Sequence, residues 1–443
     1  MRSCDFLKEG IKESAKGARF MEILVEHAVL VGVQEQNAEH FDYEMEELKN
    51  LAEAIDVQVV GEVTQNLERK NPTHYVGKGK VAEVKQLYEE TGANLVIFND
   101  ELSPSQIRNL EQELEVKVID RTMLILDIFA RRARTHEARM QVELAQLQYT
   151  LPRLVGLRAS LSRQGGGTGG GFQNKGAGET KLELDRRKIE DQIAKLRKDL
   201  EHVRDRRETQ RKQRKKSGIH VVSIVGYTNA GKSTLMNGLL RKMDEETAKQ
   251  VYEENMLFAT LDTSVRHLKL ADNKEFLLTD TVGFVSKLPH HLVKAFRSTL
   301  EEARGADLLL HVVDVSNPEY RYMMEVTNKT LEDVGVENIA TINVYNKADL
   351  AGIPYPRTTG DSVWISAKDE DGLDELIGLV KKKLFEQYIT CKLLVPFDRG
   401  DVVSYLNDTA NVKKTDYEED GTLMTVEMDG AERIKFEEFI ISH

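Results

Sequence analysis

Gly226, Tyr227, Thr228, Asn229, Ala230, Gly231, Lys232, Ser233 and Thr234 spell GxxxxGK[ST], directly after the apolar run HVVSIV and directly before STLMNGLL. A strand, a glycine-rich turn and a helix start, in that order, wrap backbone N–H groups around a phosphate at the positive end of a helix. Lys232 adds a point charge between β- and γ-phosphates, and the Ser233 hydroxyl is a hard donor suited to Mg²⁺. Asp280, Thr281, Val282 and Gly283 end the run EFLLT. There the carboxylate is placed to reach the metal, through water, and the Gly283 N–H to sense the γ-phosphate. Asn346, Lys347, Ala348 and Asp349 follow ATINVY. The Asp349 carboxylate can accept two hydrogen bonds from guanine N1–H and its 2-amino group, which adenine cannot supply. Ser366, Ala367 and Lys368 follow SVWI and suit the loop that backs the base. The ordered set predicts a Mg²⁺-dependent site that binds GTP and GDP and hydrolyses the one to the other, with Lys232, Gly283 and a switch threonine as its catalytic groups.

That threonine is expected between the phosphate loop and Asp280. Phe258, Ala259, Thr260, Leu261 and Asp262 are the candidate stretch, with Thr260 closing over metal and γ-phosphate. Thr263 is a close rival, and a plain strand-edge threonine is the bland alternative. The residue after Gly283 is Phe284, where Ras-like enzymes carry the glutamine that orients the attacking water. Phenylalanine cannot orient water, so hydrolysis by the isolated chain should be slow and a partner should organise the site.

The elements that must hold these groups follow from hydropathy. From 217 to 386, strands and helices alternate as in a doubly wound sheet, with strands at IHVVSIVG, EFLLTD, DLLLHVVDV, ATINVYN and SVWIS. From 21 to 130 a second, smaller alternation predicts a parallel α/β domain. Ser103 before Pro104 reads there as an N-cap and a first-turn proline. Residues 1–20 read as a mobile tail. Residues 131–216 read as an antiparallel helical hairpin, because Met140, Leu144, Leu147, Leu151 and Leu154, then Leu182, Ile189, Ile193, Leu196, Leu200 and Val203, recur at spacings near three and four. Its tip, 163–178, is too glycine-rich for regular structure, since each glycine weakens a helix by about 1 kcal/mol. Residues 387–443 form a small α+β unit, with strands at KLLVPF and TLMTVEM and helices at VVSYLND and ERIKFEEFI. The fold class is therefore α/β: a Ras-like P-loop domain, preceded by the parallel α/β domain and the hairpin, and followed by the C-terminal unit.

The bulk numbers set limits. A chain of 443 residues calls for two to four cores. No run approaches the roughly 18 apolar residues of a membrane span. The start lacks the apolar region of a signal peptide. Cys4 and Cys391 stand alone, which excludes a disulfide framework and points to the cytoplasm. Net charge is −12, yet Asp185 to Ser217 carries 14 Lys/Arg against 7 Asp/Glu. A polyanion would meet that basic limb rather than the acidic body, although a merely solvated face is the competing explanation. The GKGK stretch at 77–80 lacks the context of a second phosphate loop, and His290 and His291 sit where a solvent-facing switch would be. No long coiled-coil seam marks a dimer, so a monomer is expected.

These residues together resemble the HflX family of translational GTPases. GYTNAGKST, LFATLD and DTVGF take the forms that family uses. Upstream, THYVGKGKVAEV (73–84), DRTMLILDIFARRARTHEARMQVELAQLQY (120–149) and GAGETKLELDRR (176–187) look like its N-terminal signatures. The match spans about 21–443. The chain departs from the family in reading Asp262-Thr263-Ser264-Val265-Arg266 where a D-P-T-T-R pattern is usual, and in a longer tip loop. The resemblance implies a GTPase that binds the large ribosomal subunit and its rRNA and dissociates stalled or idle ribosomes. It also implies a hairpin tip that approaches rRNA, with Arg163 and Lys175 as cations and Phe172 as a stacking ring. An RNA-remodelling, helicase-like factor and a GTP-regulated protein-interaction switch are the competing functions.

Overall fold

The computed structural model describes residues 26–36, 38–164, 175–216, 218–243, 258, 264–270, 272–289 and 302–442. The N-terminal unit alternates β1 (Glu26–Glu35), α1 (Phe41–Glu53), β2 (Val57–Leu67), α2 (Lys78–Thr91), β3 (Leu95–Phe98), α3 (Pro104–Leu114) and β4 (Lys117–Asp120). Its sheet runs β2-β1-β3-β4 with every pair parallel. Helices cover both faces, so the inner strands read as unbroken apolar runs, and LVIF of β3 is buried throughout. Ser103 does cap α3: it accepts the Gln106 N–H, the Gln106 side chain returns the bond, and Pro104 opens the helix. Gly77 caps α2, so the GKGK stretch begins a helix.

Next come α4 (Arg121–Arg132) and the two arms, α5 (His136–Gln164) and α6 (Lys175–Lys216). Met140, Leu144, Leu147, Ile193 and Leu196 form the buried seam between the arms. Arg207 reaches Glu137 at 2.7 Å and fixes their antiparallel register at the base. The helices run further than glycine content predicts. Residues 163–164 and 175–178 are helical, because extending an existing helix adds one hydrogen bond per residue fixed and offsets the cost of Gly176 and Gly178. Residues 165–174, Phe172 among them, lie outside the described residues.

The nucleotide-binding unit contains β5 (His220–Gly226), α7 (Lys232–Met243), β6 (Ser264–Lys269), β7 (Glu275–Asp280), β8 (Leu308–Asp314), α8 (Tyr320–Asp333), β9 (Ala340–Asn346), α9 (Ala348–Ala351), β10 (Arg357–Thr359), β11 (Ser362–Trp364) and α10 (Leu373–Leu384). Its sheet order is β10-β11-β9-β8-β5-β7-β6. The antiparallel edges β6 and β10 add to the five strands that hydropathy predicts. β10 is exposed and only three residues long, and β6 fully buries only Leu268, so neither shows an apolar run. The C-terminal unit is an antiparallel sheet of β12 (Ile389–Val395), β13 (Asn411–Glu418), β14 (Gly421–Met428) and β15 (Ile440–Ser442), ordered β13-β14-β12-β15, with α11 (Gly400–Thr409) and the one-turn helix α12 (Gly430–Lys435). The ERIKFEEFI segment is therefore a short helix that ends in a strand. Among the described residues no helix is long and apolar enough to cross a membrane.

Candidate nucleotide site

The phosphate loop leaves β5 at Gly226, whose φ of 147° lies outside the range of L side chains. A Cβ there would stand 2.2 Å from the Val312 carbonyl oxygen. Gly231 is bound in the same way: φ is 91°, and a Cβ would meet Asn346 Nδ2 at 2.2 Å. That asparagine is a strut. Its Nδ2 donates to the Ala230 carbonyl at 2.9 Å, and its Oδ1 accepts the Ala367 N–H at 2.9 Å. One amide thus locks together the phosphate loop, the Asn346–Asp349 corner and the loop behind the base. Lys347 takes a left-handed φ of 60° and pairs with Asp314 at 2.7 Å, which starts α9 and sets Asp349 in its first turn. Ser366 donates to Asp369 at 2.7 Å, while Lys368 is exposed.

Lys232 is buried, and its Nζ donates to the Tyr227 carbonyl at 2.8 Å. Burial pulls its pKa down from 10.5 to about 8, against the opposing pull of Asp280. Bound phosphates would restore the charged form. Between pH 8 and 10.5 the free folded chain holds fewer protons on Lys232 than either the unfolded chain or the nucleotide complex. Stability of the free chain should therefore rise with pH across that window, and GDP binding should take up protons there. Calorimetry of GDP binding in buffers of different ionisation heat should show uptake at pH 9 and none of it in Lys232→Met. His311, buried on β8, is driven down to about 4 by burial and by the Lys232 charge, so it is neutral near pH 7.

Ser233 Oγ donates to Asp280 Oδ2 at 3.1 Å. Two hard oxygen ligands side by side at the end of β7 and the start of α7 fit a magnesium ion better than any softer metal. Gly283 lies against Lys232 and Thr228, so a Cβ on it would come within 2.8 Å of Lys232 Nζ. Thr281 donates to the Ile224 carbonyl at 2.7 Å and ties the strand ends together.

Two residues that the motif assigns to the nucleotide face elsewhere. Tyr227 packs its ring beside Phe284 in the nucleotide unit's apolar cluster, and its hydroxyl reaches across to the N-terminal unit to donate to Glu47 Oε1 at 2.5 Å while accepting the Ser286 N–H at 2.6 Å. Phe258 is buried in the core of the N-terminal unit, edge-on to Phe129 with centroids 4.5 Å apart. The Phe258 ring is thus buried in the core of the N-terminal unit, whereas the Tyr227 ring packs with Val225 and Phe284 in the nucleotide unit's own cluster. Ala259, Thr260, Leu261, Asp262, Thr263, His290 and His291 lie outside the described residues. So do the side chains of Arg163 and Lys175, although the backbone of each is helical.

Spacing gives no sign of the network behind Tyr227. Arg121, 1% exposed, pairs with Glu47, donates to Ser286 Oγ at 2.8 Å and to the Ser286 carbonyl at 3.2 Å, and reaches Asn99 at 2.9 Å. Lys287 bridges Glu44 at 2.6 Å and Asp100 at 3.0 Å. The residue before Arg121 serves the arm: Asp120 accepts the Tyr149 hydroxyl and lies 3.3 Å from Arg153, both on α5. Phe284 is 2% exposed in an apolar cluster, and its backbone is clamped to the phosphate loop through the Thr228 N–H at 2.8 Å and the Gly226 carbonyl at 3.2 Å. Its ring is withdrawn from the cleft, as its chemistry requires.

Three family models match in succession: a GTP-binding GTPase N-terminal region at 42–130, a GTP-binding GTPase middle region at 132–214, and a 50S ribosome-binding GTPase at 221–347. A protein of Caldanaerobacter subterraneus subsp. tengcongensis named GTPase HflX is 46% identical over 94% of this chain and 94% of its own. The GTPase HflX of Lacrimispora saccharolytica is 46% identical over 89% and 92%. That of Escherichia coli is 40% identical over 90% and 92%. Identity of this extent, over the N-terminal unit, the arms and the nucleotide site alike, makes the chain a member of the HflX family of GTPases.

Proposed function

We propose that this GTPase depends on Mg²⁺, binds the large ribosomal subunit through its rRNA, and dissociates stalled or idle ribosomes, with GTP favouring the bound form and hydrolysis releasing it. The observation that supports the reading is the adjacency of Asp120 and Arg121. Arg121 is bonded to Glu47 and Ser286, next to the Tyr227 of the phosphate loop, while Asp120 is bonded to the arm at Tyr149 and Arg153. A shift of Ser286 on nucleotide exchange would therefore be delivered to the middle of α5, at Tyr149 and Arg153, through two consecutive residues. The arms are long: 29 residues of α5 extend about 44 Å at 1.5 Å per residue. Arg163 near the end of one and Lys175 at the start of the other would frame Phe172 against rRNA.

In the reaction, a water oxygen bonds to the γ-phosphorus, the bond to the β–γ bridging oxygen breaks, and the electron pair leaves with GDP. Lys232 lies between the β- and γ-phosphates, the Gly283 N–H holds a γ-oxygen, and Asp349 holds the guanine. Ser233 and Asp280, with a switch threonine such as Thr260, would hold magnesium, which neutralises charge on the phosphate oxygens when bound.

Sedimentation with purified ribosomes tests the reading. The protein with a non-hydrolysable GTP analogue should travel with the large subunit, convert 70S particles to subunits, and be released with GDP. Because Phe284 orients no water, turnover without ribosomes should be slow, on the order of 10⁻³ s⁻¹ or below as in unassisted switch GTPases, and should rise with large subunits. Turnover near 1 s⁻¹ alone, with no response to ribosomes and no co-sedimentation, would overturn it.

A further inference from the structure

The two faces of the nucleotide unit's sheet are not covered alike at its β9–β11 end. α7 and α10 pack on one side, over Ile342, Val344 and Val363. On the other side α8 packs over β5 and β8. Between β9 and β11 the chain supplies only the one-turn α9 and the three-residue β10. Tyr345 and Trp364 point to that second side and stay half-buried. Strand register sets Arg357 opposite Trp364 and Trp364 opposite Tyr345. The Tyr345 and Trp364 rings stack with centroids 4.8 Å apart and planes 16° apart. From the opposite neighbouring strand, the Arg357 guanidinium carbon lies 4.0 Å over the Trp364 ring. Tyr320, which opens α8, meets Tyr345 edge-on at 6.3 Å. Arg321 lies 5.8 Å over Tyr320, and its Nε donates to the Tyr320 hydroxyl at 3.2 Å.

The row therefore ends in an exposed arginine on each side, held by rings. Among the described residues neither guanidinium meets a carboxylate, although the chain's net charge is −12. The acids close by in sequence have other partners: Asp361 pairs with Lys383 at 2.8 Å, Asp314 with Lys347 at 2.7 Å and Glu319 with His40 at 2.7 Å. β10 is the edge strand, so no strand lies beyond Arg357. A guanidinium stacked on a ring keeps its outer plane and its N–H edge for a partner, and the plane suits a base while the edge suits a phosphate. An acidic peptide would match the charge alone. An unpaired nucleotide matches both.

We propose that this row on the nucleotide unit is a binding surface for unpaired RNA. An unstacked base extends the Tyr345–Trp364–Arg357 pile on the outer plane of Arg357, whose edge takes the adjoining phosphate. Arg321, at the other end of the row, takes a phosphate further along the strand. The surface is separate from the tips of the arms, and the assignment does not rest on ribosome dissociation.

The test uses the full chain bound to GDP. Trp364 is its single tryptophan, so tryptophan fluorescence reads this surface, while anisotropy of a labelled oligouridine reads binding anywhere on the protein. Unlabelled oligouridine should quench Trp364 as it binds, and the same strand paired with oligoadenine should not. Arg357→Ala should weaken the binding seen by quenching on the order of tenfold, the scale of one lost base stack, and should lower the slope of log affinity against log salt by about 0.7. Arg357→Lys should keep the slope and lose the affinity, because an ammonium carries the charge without the plane. Arg321→Ala should lower the slope by the same amount as Arg357→Ala. Binding seen by anisotropy without quenching, or no binding at all, overturns the proposal. So do arginine-to-alanine variants that bind as the wild type does. A lysine variant with full affinity, or equal quenching by the duplex, would reduce the surface to plain charge and also overturn it. Quenching by oligoglutamate and not by RNA would make it a protein-docking surface instead. None of these outcomes depends on sedimentation with ribosomes, so this proposal and the proposed function fail separately.

Discussion

Asp349→Asn should exchange the enzyme's base. At the proposed base site the Asp349 carboxylate would offer acceptors to both guanine N1–H and the 2-amino group. It is held in the first turn of α9 by the Asn346 strut and the Lys347–Asp314 pair, neither of which the substitution touches. An asparagine presents an amide N–H to a 2-amino group that also donates, and one donor is left unpaired in a desolvated pocket. Sites built around a specific donor reject the mismatched analogue by a factor on the order of 10⁴. GDP binding should fall on that scale. XDP, whose 2-oxo group accepts the amide hydrogen, should bind nearly as GDP does to the wild type. Equilibrium titrations with GDP and XDP measure both. A variant that retains GDP affinity and ignores XDP would show that the base sits elsewhere.

Arg121→Leu should destabilise the protein more than any change at the nucleotide site. Arg121 and Glu47 are 1% and 3% exposed, and removal of the guanidinium strands a carboxylate that, among the described residues, keeps the Tyr227 and Ser286 hydroxyls as its donors. Breaking one side of a buried ion pair costs about 3–5 kcal/mol. For a unit of this size that lowers its unfolding temperature on the order of 10 °C. Arg121→Leu combined with Glu47→Leu removes both charges and should recover much of the loss, because the two residues are directly coupled. Calorimetric scans of both variants decide the matter. If the single variant melted with the wild type, the pair would contribute nothing to the junction. The variant should also release GDP faster, since Ser286 and Tyr227 lose their shared anchor.

The nucleotide site was legible in the sequence because its chemistry is local. GxxxxGK[ST] is a continuous turn, and the constraints on Gly226 and Gly231 come from a backbone that only glycine can follow. Asn346 and Asp349 are fixed by one strand end. The seam of the arms was legible for a related reason: helical spacing alone places Met140, Leu144 and Leu147 on one face. The edge strands β6 and β10 were not, because an edge strand needs no apolar run. The helix ends at 164 and 175 were misplaced because glycine content reports propensity, while a long helix extends by cooperativity.

What the sequence by itself determined is a GTPase with its phosphate-loop motif and a phenylalanine in place of a glutamine, together with the expectation of which residues take the base and the metal. Each follows from residue type at fixed separation along the chain. What only the tertiary structure decided is where Tyr227 and Phe258 point and to whom Arg121 belongs. Glu47, Arg121, Tyr227 and Ser286 are 239 positions apart at the extremes, and no periodicity relates them. They meet because two separate cores pack against each other. At that contact a buried guanidinium must find every acceptor within reach, and this requirement acts through space rather than along the chain.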